Sequence, residues 1–153
     1  MTLTDLFLAE LDREVPRSRK ALEHVPEGKA DWKPHARSMP LGYLAMLVAM
    51  MPDWIARIID HDQLDVAPKD AEARRPEPPA TRAGLLDLLD RSAAQARVAL
   101  KKTSDSEAPR YVVIGDTMNH LAHHRGQLTV YLRMAGGKLP SVYGPTADEP
   151  WGP

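Results

Sequence analysis

His120-Leu121-Ala122-His123-His124-Arg125-Gly126-Gln127 places half of the chain's six histidines in one short stretch, and the residues on either side of it decide the architecture. Turning each residue about 100° round a helix brings Ile114, Thr117, Leu121, Leu128, Tyr131, Leu132 and Ala135 into one broad inner sector. Pro109 suits the first turn of such a helix, and Gly136-Gly137 is a usual stop. The spacing predicts a helix over about 109–135. His124 falls inside its inner sector and His120 on the flank, whereas His123 points almost opposite the centre of the sector. Only His120 and His124, four apart, then form a pair that one metal ion can reach, and His123 faces solvent. Spacing alone leaves two readings open: a functional metal pair, or core histidines satisfied by hydrogen bonds.

Three more segments upstream carry helical periodicity. The first, about 4–22, has Leu3, Phe7, Leu11, Val15, Ala21 and Leu22 close to one side, with Thr4 as N-cap. Pro26, Gly28 and Pro34 break the chain, and Ser38 or Met39 starts a nearly all-apolar helix over about 39–59. Pro52 lacks an amide hydrogen, so a kink or restart is expected there. Residues 61–80 are rich in proline and charge and read as an extended surface connection. Thr81 caps a third helix over about 82–102, with Leu85, Leu88, Leu89, Ser92, Ala96 and Leu100 as its inner stripe. The residues from Lys138 to Pro153 hold four prolines and form a non-helical tail. The expected fold is all-α: one four-helix bundle domain spanning 1–153, with an ordered Pro-rich C-terminal tail.

Composition narrows the function. The chain has 153 residues, 43% hydrophobic but only 5% aromatic, which favours helices built on Leu, Ala, Val, Ile and Met. A formal net charge of -1 and no basic stripe argue against nucleic acid as a partner. With no cysteine there is neither thiol nucleophile nor thiolate ligand, so a metal must use His, carboxylate, water or, less favourably, Met. Asp5 and Glu10 interrupt any secretory leader, and the apolar run Leu41–Met51 is about half a membrane span. A cytoplasmic protein with no membrane partner is expected. No Gly-rich phosphate loop, nucleophile elbow or paired-carboxylate signature is present.

Trp32-Lys33-Pro34-His35 and Ser38-Met39 precede helix two, Leu41-Gly42 and Leu44-Ala45 lie inside it, and Pro52 and Trp54 follow. Together with Asn119-His120, His123-His124-Arg125-Gly126-Gln127-Leu128, Val130-Tyr131-Leu132-Arg133 and the tail from Pro140 to Glu149, they cover nearly the whole chain. In these motifs the sequence resembles the DinB/YfiT-like superfamily, bacterial four-helix bundles described as metal-dependent hydrolases that include thiol-dependent transferases and isomerases. The resemblance implies a divalent metal, commonly zinc or nickel, on three histidines, two of them matching His120 and His124. It also implies a small-molecule substrate, a low-molecular-weight thiol as co-reactant in some relatives, and a homodimer.

Two departures stand out. The third family ligand, in helix two, matches Leu47, which cannot coordinate a metal. Tyr43, Met50 and Met51 share the face of Leu47 but are poor zinc donors; Asp53 is turned about 120° away, and His35 and His61 lie outside the helix. The connection Thr103–Ala108 is also shorter than in close relatives. Arg125 and Gln127 either hold an anionic substrate or a ligand from behind, or anchor the tail, the last being preferred. Gly126 is expected to permit close helix approach, and Trp32 and Trp54 to serve core or dimer contacts. Two functions compete: a metal-dependent hydrolase or thiol-dependent transferase built on His120 and His124, and a non-catalytic small-molecule-binding or dimeric bundle with a degenerate site.

Overall fold

A computed structural model describes residues 2–61, 76–103 and 108–150. The expected connections across 62–75 and 104–107 lie outside the described residues. Among those residues there are four helices and no strand: α1 (Leu3–Glu23), α2 (Leu41–Asp60), α3 (Arg82–Lys102) and α4 (Ala108–Met134). α2 packs chiefly against α3 and α4, and α1 against α3 and more lightly against α4, while α3 and α4 scarcely meet. The four helices therefore surround one apolar interior with α3 and α4 on a diagonal.

Local chemistry sets the helix ends. α1 starts at Leu3, capped by Thr2 and not by Thr4. The Thr2 hydroxyl accepts from the Asp5 amide at 3.0 Å, and the Asp5 carboxylate accepts from the Thr2 amide at 2.9 Å, a reciprocal capping box that Thr4 has no acid to form. Thr4 instead turns its hydroxyl to Tyr111 and Thr103.

α2 starts later than residues 38–39, because a residue before proline avoids the helical region and Pro40 sits at the N-cap. Its first amides are satisfied by the preceding loop: Leu41 donates to the carbonyl of Trp32 and Gly42 to that of Ala30, both at 2.9 Å. The approach is close enough that a Cβ on Gly42 would stand 2.9 Å from the Ala30 methyl. No restart occurs at Pro52, and the helix runs on to Asp60 with Pro52 itself buried. Packing on α3 and α4 outweighs the single lost hydrogen bond. By length and composition α2 would also cross a membrane, yet 67% of its most apolar window is buried inside the bundle.

Thr81 caps α3 as expected, its hydroxyl accepting from Gly84 at 3.1 Å. α4 ends in a Schellman turn: Gly136 takes φ +82°, Gly137 donates to Leu132 at 2.8 Å and Gly136 to Arg133 at 3.1 Å. Beyond it, residues 137–150 are irregular, and their hydrogen bonds are largely internal. The Asp148 carboxylate accepts from the Leu139 amide at 2.9 Å and from Arg133 at 2.5 Å, which holds its pKa below the ordinary value. Glu149 takes the Ser141 amide at 2.7 Å, and Lys20 of α1 reaches the Ser141 carbonyl at 3.3 Å.

Candidate metal centre

α2 and α4 run antiparallel. Arg110 in the first turn of α4 donates to the carbonyl of Ile59 at the end of α2, and Trp32, hydrogen-bonded to the start of α2, meets Tyr131 near the end of α4 at 5.9 Å between ring centroids. Between these ends Trp54 stands edge-on to His120, with centroids 6.0 Å apart and planes at 77°. Leu47 lies seven residues before Trp54 and so on the same face of α2, in the direction in which α4 passes from His120 to Gln127. Leu47 and Tyr43 are both half-buried against the core.

The His120 and His124 rings are 4.5 Å apart. Only His124 is buried, at 8% exposure; His120, expected to face the bundle, is exposed. The buried positions explain the difference. The most central run Tyr111, Ile114, Met118, Leu121, Arg125, Leu128, Leu132 and Ala135, a three-four repeat flanked by buried Thr117 and His124, and His120 lies beyond that flank at the solvent edge. His123 is exposed as expected, but it does not stand apart: its ring lies 5.4 Å from His124 and 6.4 Å from His120.

His124 is held from behind. Its Nδ1 pairs with Gln127 Oε1 at 2.8 Å, which places the proton on Nδ1 and leaves the Nε2 lone pair open. Gln127 thus serves the histidine and not the tail. Burial pushes the His124 imidazole below its ordinary pKa; the Gln127 hydrogen bond opposes this, and neighbouring His120 and His123 add to it. The neutral form, which a metal requires, is favoured.

Arg125, the next residue, faces the other way. At 1% exposure it is closed to any substrate. Its Nη1 donates to Ser18 Oγ at 3.1 Å and to the Glu14 carbonyl at 3.3 Å, and its Nη2 to the Glu14 carboxylate and the Tyr143 hydroxyl. Tyr143 in turn donates to Glu14 at 3.0 Å, and Arg17 closes the second carboxylate oxygen. Burial alone would raise the Glu14 carboxyl, yet the hydrogen bonds from Arg125, Arg17 and Tyr143 hold it below its ordinary value. Arg125 therefore joins α4, α1 and the tail through Glu14 and Ser18, two buried residues outside the apolar stripe read for α1.

Gly126 does not mediate helix contact: a Cβ there meets nothing within 4 Å. It borders a cavity of about 210 Å³ between α4 and the tail, with Ala122, Thr129, Leu139 and Val142.

The donors fit a two-imidazole chelate and not a three-histidine centre. Among the described residues no group of three or more His, Asp or Glu side chains is arranged to hold a metal ion. The side chain at the third position is aliphatic.

An all-α bundle with a histidine pair on its fourth helix is thus the class of protein that fold and site define. The DinB family model matches residues 2–151, and the chain belongs to the DinB family. Among curated proteins it is similar to the uncharacterized protein YrdA of Bacillus subtilis (strain 168), 50% identical over 32 residues. That match spans 21% of this chain and 19% of the relative. No solved structure matches.

Proposed function

We propose that this DinB-family chain holds a divalent cation, zinc or nickel, on His120 and His124 and acts as a metal-dependent hydrolase or thiol-dependent transferase on a small molecule. The observation that carries this reading is the pair of imidazoles 4.5 Å apart with Gln127 fixing the tautomer of His124. A bound cation would supply Lewis acidity, drawing the pKa of a coordinated water or external thiol toward neutrality and so providing the nucleophile that a chain without cysteine lacks. The chain's own residues do the holding: His124 presents Nε2, Gln127 keeps the proton on Nδ1, and Trp54 backs the ring of His120.

Leu47 favours a second reading, a non-catalytic bundle that binds a small molecule or dimerises over a degenerate site. Metal analysis of tag-free protein separates the two. Stoichiometric zinc or nickel, lost in both His120→Ala and His124→Ala, supports the first reading. No metal after loading with either ion overturns it, and Leu47→His then restores binding only if the remaining family geometry is intact.

A further inference from the structure

We propose that the cavity between α4 and the C-terminal tail is a binding site for a small, neutral, apolar molecule built on a single aromatic ring, separate from the histidine edge.

The cavity follows from what α4 lacks on that side. Ala122 and Gly126, four apart on one face, present a single methyl group between them, and a Cβ on Gly126 would meet nothing within 4 Å. The tail crosses above them with Leu139, Pro140 and Val142. Two struts keep it from settling onto the helix. At one the Tyr143 hydroxyl is tied to Arg125 and Glu14, and at the other the Asp148 carboxylate is tied to Arg133 and to the Leu139 amide. Arg125 and Arg133 stand about 12 Å apart along the helix axis, so the tail is fixed at two separate points and the space beneath it is preorganised. By the same helical arithmetic Ala122 and Gly126 lie about 160° round α4 from His120 and His124 respectively, so this space and the histidine pair are on opposite sides of the helix.

The walls select the ligand. A volume of about 210 Å³ exceeds the roughly 150 Å³ that suffices for benzene in an apolar cavity, which leaves room for one ring with a short substituent. Each wall hydroxyl already donates within the protein: Thr129 to the Gly126 carbonyl at 2.7 Å, Thr146 to that of Leu139 at 2.7 Å, and Tyr143 to Glu14 at 3.0 Å. The charge of Arg125 is matched by Glu14. Water therefore finds no free hydroxyl donor in the wall and an ion finds no unmatched charge, whereas an apolar molecule supplies the dispersion contacts that an empty void forgoes.

Toluene is the probe. Titrated into the tag-free full chain, it is expected to shift the methyl NMR signals of Leu139 and Val142 saturably and to raise the urea midpoint as its concentration passes the dissociation constant. Gly126→Leu and Ala122→Leu fill the same space from two positions, circular dichroism confirming the fold of each, and are expected to weaken toluene binding by about tenfold or more. His124→Ala is expected to bind toluene as the wild type does. The proposal is overturned by the absence of a saturable shift, by shifts centred away from the tail and its facing side of α4, or by wild-type affinity in both filled variants. None of these results bears on metal at His120 and His124, which is measured separately.

Discussion

At position 125 a guanidinium occupies a place in the core repeat that leucine would ordinarily fill. A buried arginine is tolerable only with its charge matched and its donors used, and Glu14, Ser18 and Tyr143 do both. Removing one partner strands the other. Arg125→Ala should therefore cost about 3–5 kcal/mol in urea unfolding, whereas the double change Arg125→Met with Glu14→Leu should lie much nearer the wild type. The same group sets a pH dependence. The carboxyl of Glu14 is held below its ordinary value, so its contribution is complete above the ordinary glutamate range and is lost as pH falls through the depressed value. Stability followed by chemical unfolding between neutral and acid pH should drop on the acid side. Glu14→Gln should start lower at neutral pH and follow a shallower acid limb; an unchanged slope would show that other carboxylates govern acid unfolding.

Among the elements, α3 was the most legible: the Thr81 cap and the range 82–102 are read directly from local chemistry. The stop of α4 was equally plain, since Gly136 is the residue that accepts a positive φ there. The starts of α1 and α2 were not. Two threonines compete for the first, and only Asp5 three residues after Thr2 decides it. For α2 the caps are carbonyls of Trp32 and Ala30, a tertiary contact with no sequence signature. The polar layer of Glu14, Ser18 and Arg125 is legible in principle from the three-four repeat, but charged residues ordinarily mark the outer face of a helix. The ring positions of His120 and His123 depend on rotamers, which periodicity does not carry. Two glycines give a paired test at this scale. Gly126→Ala, in an open helix interior, should raise stability by about 0.5–1 kcal/mol. Gly42→Ala forces a methyl to within 2.9 Å of Ala30 and should lower it, the two melting temperatures moving in opposite directions.

Across the whole molecule, α1, α4 and the tail converge on the buried ion pair of Arg125 and Glu14. A buried ion pair between two helices of a bundle penalises sliding, since any other register buries Arg125 away from its acid. The tail completes the layer from outside: the ring of Tyr143 is largely exposed, yet it lies 4.5 Å from the Arg17 guanidinium carbon and 5.0 Å from that of Arg125 while its hydroxyl reaches the buried pair. Ending the chain after Gly137 should cost on the order of 2 kcal/mol, because hydrogen bonds to charged groups are lost, and should make α1 more susceptible to proteolysis. Wild-type unfolding by the shortened chain would mean that the four helices close the layer unaided.

The indole of Trp54 against the imidazole of His120 has an optical consequence. Tryptophan emission responds to whatever draws electron density from the excited ring, and an imidazole that gains charge or a ligand does so at this range. Trp32 meets Tyr131 instead, seven residues beyond His124 on α4. The chain therefore contains its own fluorophore for that edge, and occupancy there can be followed in unlabelled protein as a change in one of its indoles.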